Sequence, residues 1–209
     1  PAALLAGGGP GGGAPPHARG LAAPPPQCLR RPAPAVRLPA SAVEELRRFW
    51  DALVAPDIAP LRAFASAPPA SPSGLAGAAR ARLKRLPDPA TGLDAVEARV
   101  IAPLSAAPRP VAPALGAALA DGAEGPDLVG DLSLFAALRA LADPVLPRPL
   151  VALTGDGTIR GSAARLTAFG QEVRAGRADR VAANGWRARL GGLVVDAGPG
   201  RDVPRAPAG

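Results

Sequence analysis

The chain has 209 residues, 28 of them proline and 25 glycine, with a formal net charge of +7 and neither methionine nor tyrosine, a length suited to one domain or two small ones. A single cysteine, Cys28, excludes an intrachain disulfide and a multi-cysteine metal site. No apolar run reaches the roughly 18 residues of a membrane span, and the start lacks the charged entry of a signal peptide, so a cytoplasmic protein is expected. A chain that opens on Pro1 without any Met is also expected to be an incomplete reading frame, with a part upstream of Pro1 not included.

The surplus of Ala, Arg, Gly and Pro reads as GC-rich coding bias, so the net charge by itself does not argue for a polyanionic partner. Its distribution says more. Residues 1–40 hold four Arg and no acid, 41–90 seven basic and five acidic groups, 91–143 three basic and seven acidic, and 144–209 ten basic and five acidic. The positive excess therefore sits towards the ends, and the helical middle is acidic.

Residues 1–40, with Gly7–Gly9, Gly11–Gly13 and Pro24–Pro26, have too few large side chains to offset the roughly 1–2 kcal/mol cost of ordering each residue, and are expected to be disordered. Their glycine run lacks the Lys-Ser or Lys-Thr of a phosphate loop. Residues 41–90 are expected to form a helical extension. Ser41 and Glu44 have capping-box spacing, and Val43, Leu46, Trp50 and Leu53 then recur on one face, with Trp50 expected in the core. Asp57 is placed to cap a short helix carrying Ile58, Leu61 and Phe64. After the break at Pro68, Pro69 and Pro72, Leu75, Ala79, Leu83 and Leu86 repeat the helical period as far as Pro87, with Arg80, Arg82, Lys84 and Arg85 on a solvated outer face.

Residues 91–197 are expected to form the main domain. Asp94 and Glu97 make a second capping box, followed by Val96, Val100, Ile101 and Leu104, with Pro103 ending or kinking the helix. Val111, Leu115 and Leu119 suggest a second helix. A third, capped by Asp131, turns Leu134, Phe135, Leu138 and Leu141 inward. The period then changes: Leu150–Thr154 reads as a strand, Gly155-Asp156-Gly157 as a turn, and Ala163–Leu166 as the return strand. Thr167 caps a helix with Phe169 and Val173 that Gly176 closes. Asn184-Gly185 predicts a hairpin turn between Val181 and the run Leu190, Leu193–Val195. Residues 198–209 are expected to be a flexible tail. Three helices, a hairpin and a further helix give the order of a winged helix. The fold class is therefore mainly α with a small β component: a winged-helix-like C-terminal domain preceded by a helical extension.

Several short motifs come in a fixed order: Leu83-x-x-Leu86-Pro87, Gly92-Leu93-Asp94-x-x-Glu97, Gly130-Asp131-Leu132-x-Leu134-Phe135, Arg165-Leu166-Thr167-x-x-Gly170-x-x-Val173-x-x-Gly176-x-Ala178-Asp179-x-Val181, Asn184-Gly185, and Leu190-Gly191-Gly192-Leu193. Together, across roughly residues 42–196, they resemble the C-terminal half of an uncharacterised bacterial family, domain of unknown function 1835. The resemblance implies an accessory domain whose N-terminal partner half is missing, and it brings no activity with it. The chain departs from the family near its end. Trp186, Arg187, Ala188 and Arg189 replace the family's Ile-Asp-Arg-Trp, and Val194 stands where the family has His.

Chemistry is sparse. His17 is the only His and lies beside Pro15 and Pro16, away from any element that would hold it about 3 Å from a nucleophile. Cys28 reads as a bystander thiol. No His/Cys cluster suits zinc, and Asp121, Glu124, Asp127 and Asp131 lack the oxygen-ligand alternation of a calcium loop. No catalytic residue, metal or cofactor is expected. The leading reading is a packing or protein-interaction module whose partner is a missing N-terminal domain or another protein. The alternative is a nucleic-acid-binding winged helix. Its third helix holds one cation, Arg139, and its wing one, Arg160. Phosphate contacts, which dominate such affinity, would fall to Arg160, Arg174, Arg177, Arg180, Arg187 and Arg189.

Overall fold

The computed structural model describes residues 37–67, 74–121 and 129–207. The disorder expected for residues 1–40, together with His17, Cys28, Glu124 and Asp127, falls outside these residues apart from the last few positions before the first helix. The chain divides between Leu38 and Pro39, and every element below belongs to the part that begins at Pro39.

The fold is mixed, with helices and small antiparallel sheets. In order come α1 (Ala40–Val54), α2 (Ala59–Ser66), α3 (Leu75–Leu83), α4 (Ala95–Ile101), β1 (Arg109–Pro110), α5 (Val111–Asp121), α6 (Asp131–Leu141), β2 (Val151–Gly155), β3 (Ser162–Leu166), α7 (Ala168–Arg174), α8 (Arg180–Asn184), β4 (Trp186–Leu190) and β5 (Leu193–Ala197). One sheet has the order β1-β3-β2 and the other is the β4–β5 hairpin. Val151 pairs with Leu166 and Gly155 with Ser162, so the expected strands and turn form one hairpin. The two-residue β1 on its outer edge was not foreseen.

Two buried clusters organise the molecule. The first gathers α4, α5, α6, the β2–β3 hairpin and α7 around residues such as Val100, Leu115, Leu138, Leu150 and Phe169. The second joins Ile58, Leu61, Leu83 and Leu86 to Val181, Trp186 and Leu193. The helical stretch before Pro87 therefore shares its core with the C-terminal hairpin. The last residues, expected as a flexible tail, are tied to the same cluster. Val203 and Ala206 pack on it, Ala206 N–H donates to Pro87 O at 2.9 Å, and Arg205 pairs with Asp179 at 2.8 Å.

Caps explain where several helices begin. The Asp94 side chain accepts from the Val96 and Glu97 N–H groups, and the Glu97 carboxylate accepts from Asp94 N–H, completing the box that the spacing predicts. Thr167 accepts from Gly170 N–H at 3.0 Å, and Asp179 caps α8, which was not foreseen.

Four local expectations need correction. Ser41 caps nothing, because α1 starts at Ala40 and Pro39, in extended backbone, takes the cap position. Asp131 is the first residue of α6, because Gly130 takes the cap position, and its carboxylate accepts only from the adjacent Leu132 N–H at 2.8 Å. Asn184-Gly185 is not a hairpin turn. Asn184 ends α8, and Gly185, at φ +74°, terminates it. The left-handed backbone that suits this dipeptide to a turn equally suits it to a helix end. The hairpin turns instead at Gly191-Gly192, between Leu190 and Leu193. Finally, Trp50 is 63% exposed. α1 buries Ala42 and Ala52 instead, with Phe49 and Leu53 packed against the second cluster, because the Phe49 ring meets Phe64 of α2 edge-on at 5.4 Å and sets which side faces inward.

Candidate interaction surface

The rotation of α1 leaves Val43, Leu46, Trp50 and Val54 exposed. Their spacing puts them on a single stripe of the helix. Isolated surface apolar residues are ordinary, whereas these four, tryptophan among them, lie along one face of the helix. At its C-terminal end the stripe borders an open groove of about 930 Å³ that lies between α1, α3 and the tip of the β4–β5 hairpin. Trp50 and Val54 line it from α1, Gly77 and Ala78 from α3, and Leu190 from the hairpin. A β-carbon at Gly77 would meet nothing within 4 Å among the described residues, so the α3 side is open at that position.

The corner of the groove depends on Gly191 and Gly192. Gly191 has φ +67°, and a side chain at either glycine would run into the carbonyl oxygens of Leu53 or Val54. Gly192 N–H donates to Leu53 O at 3.1 Å, satisfying one of the carbonyls left open at the end of α1. The double glycine thus docks the hairpin directly on the helix end. The signal was present in the sequence as Gly191-Gly192, but periodicity gave it no partner.

The six arginines expected as nucleic-acid contacts are not gathered on one face. Arg180 is buried and pairs with Glu97 at 2.9 Å. Arg174 donates to Leu104 O. Arg177 forms a two-pronged pair with Glu172, which holds the Glu172 carboxyl below its ordinary range. Arg187 pairs across the hairpin with Asp196 at 2.7 Å. Among the described residues only Arg160 and Arg189 of the six lack such a partner. Arg160 shares its loop with Asp156, whose carboxyl is held low by the Thr158 N–H and hydroxyl donors. The exposed positions of α6 include Asp131, Leu132 and Ala136 beside Arg139, a poor match to a phosphate backbone.

Between the two cores lies a polar seam. Glu97, capped into α4, faces Arg180 of α8, while Asp94 pairs with Arg85 at 3.3 Å. Burial pushes the Glu97 carboxyl up to about 7, against the pull of Arg180 and with a further push from the Asp94 charge. Sequence reasoning placed Glu97 only as a cap and Arg180 only as a surface cation. Their meeting joins positions far apart in the chain, which neither local pattern encodes. Among the described residues, no three His, Cys, Asp or Glu side chains come together as a metal site, and no helix is long and apolar enough to cross a membrane.

No protein-family model, curated protein or solved structure matches the chain.

Proposed function

We propose that this chain is a cytoplasmic protein-interaction module that engages another protein through the outer face of α1. The observation that carries this reading is the stripe Val43, Leu46, Trp50 and Val54, left outside both cores. Burying such a face supplies about 25 cal/mol per Å² of apolar surface, and a central tryptophan is the residue type most often dominant in protein contacts. The order α4–β1–α5–α6–β2–β3, with β1 on the outer edge of β3, supports a winged-helix-like arrangement as the scaffold. The likeness to domain of unknown function 1835, and with it an N-terminal domain as the natural partner, is part of the same proposal and rests on the order of the motifs.

The nucleic-acid alternative is weaker on charge. Four of its six arginines are engaged within the fold, and a sequence reader would need cations and polar groups on the helix that enters the groove.

The test is site-specific photo-cross-linking of the full chain in its host cells. A photoreactive residue at position 43, 46 or 50 is expected to give adducts to the same protein, while one at position 139, 158 or 160 gives none. No adduct from α1, together with nuclease-sensitive adducts from position 160, would replace the proposal with the nucleic-acid reading.

A further inference from the structure

Building on the interaction reading of α1, we propose that the groove between α1, α3 and the β4–β5 tip takes an amphipathic helix of a partner protein whose edge carries carboxylates. Among the described residues the groove is lined by three arginines, Arg82, Arg85 and Arg189, and by no acid. Arg85 already shares Asp94 at 3.3 Å. Arg82 and Arg189 have no carboxylate within 4.0 Å among the described residues. Their positive field is therefore open to an incoming ligand, beside a wall made by Trp50 and Val54. A ligand that satisfies both must be apolar along one line and acidic along the next, which is the arrangement of an amphipathic helix seated in a groove. The exposed α1 positions 43, 46, 50 and 54 follow the three-and-four spacing with which such a helix interdigitates.

Two other occupants fit less well. In a two-fold antiparallel pairing of α1 with a second copy centred on the groove, like flank meets like flank, so the arginine side of one groove would face the arginine side of the other. Single-stranded nucleic acid would find phosphate partners in the arginines and one stacking surface in Trp50. It offers nothing to Val43 and Leu46, which extend the apolar stripe along the helix. Binding of that class works through successive aromatic platforms on a cationic track.

The protein carries its own reporter. Of its two tryptophans, Trp50 is 63% exposed and Trp186 is 5% exposed, so covering the groove shifts Trp50 emission to the blue while Trp186 stays as it is. The full chain is titrated with a helical peptide of about four turns bearing leucines at three-and-four spacing and glutamates along one edge. Its counterpart with lysines for the glutamates and an oligothymidylate are the comparisons. The glutamate peptide is expected to bind at least about tenfold more tightly than the lysine peptide and to lose that advantage as salt screens the charges. With labelled peptide, Trp50→Ala weakens binding by about tenfold or more. Arg82→Glu combined with Arg189→Glu reverses the preference between the two peptides. Both variants retain wild-type thermal unfolding, which separates lost binding from lost folding. Equal binding of both peptides overturns the acidic partner while leaving α1 as an interaction surface. Tighter binding of the oligothymidylate, or self-association abolished by Trp50→Ala, assigns the groove to the other occupants. No binding of either peptide removes the groove proposal, and the interaction reading then falls only if the α1 cross-links fail as well.

Discussion

Glu97 and Arg180 meet at 2.9 Å with their side chains only 12% and 11% exposed, and this pair joins the helix that opens the first core to the helix that leads into the second. Two further arginine donors, Nε and Nη1 of Arg180, have no partner among the described residues. Burial of this kind is costly, and removing one charge of such a pair leaves the other exposed to the low-dielectric interior.

The pair makes stability depend on pH in an unusual direction. The Glu97 carboxyl sits at about 7 in the folded chain against an ordinary 4.5. Between those values the folded chain keeps a proton that the unfolded chain has released. The stabilisation from Glu97 protonation is therefore complete below about pH 4.5 and is lost as the pH rises through 7, by a few kcal/mol at most. Urea unfolding at a series of pH values should show stability falling across that window, and Glu97→Gln should remove the slope. A slope that persists in Glu97→Gln assigns it to another group.

The hairpin tip gives a second prediction. Gly192→Ala puts a β-carbon against the Val54 and Ala55 carbonyls, and Gly191→Ala puts one against the Leu53 carbonyl on a backbone at φ +67° that alanine resists. Each should destabilise by about 1–3 kcal/mol and should also disturb the groove. Gly198→Ala, where a β-carbon meets nothing within 4 Å, is the control. Equal stability of all three variants would detach the hairpin from α1.

Leu138 and Trp50 form a third, contrasting pair. Leu138 is 1% exposed within the first cluster, so Leu138→Ala should cost about 2–5 kcal/mol. Trp50→Ala removes a larger side chain from a more open place and should stay within about half a kcal/mol. A large loss at Trp50 would mean that the ring is covered.

Much of the first core was legible because its signals are local. Asp94 and Glu97 specify their box by spacing, Thr167 caps α7, and the change of period at Leu150 announces the hairpin that pairs Val151 with Leu166. What the sequence did not disclose depended on partners distant in the chain. The three-and-four spacing of α1 fits either of two neighbouring stripes. The contact of Phe49 with Phe64 and the packing of Leu53 on the second cluster go with Ala42 and Ala52 inward and Trp50 out. Asn184-Gly185 offers the same left-handed geometry to a turn and to a helix end. The choice follows from Asp179 starting α8 and from the Asn184 amide exchanging two hydrogen bonds with the Arg148 backbone. The arginines of residues 174–187 looked like one basic patch because charge is counted along the chain, whereas their partners Leu104, Glu172, Glu97 and Asp196 are found only in three dimensions.

The central claim is that the α1 stripe is left uncovered by the described residues and is available to another protein. Its most direct test is the environment of the Trp50 indole in the full chain. Trp186→Phe leaves Trp50 as the sole emitter, and Trp50→Phe leaves Trp186, so each spectrum can be checked against the wild type. The account predicts that Trp50 emits like an indole in water and is quenched readily by acrylamide at every protein concentration, while Trp186 emits to the blue and resists quenching. Blue, quencher-resistant emission from Trp50 at all concentrations would contradict it, because the face would then be occupied by the chain itself.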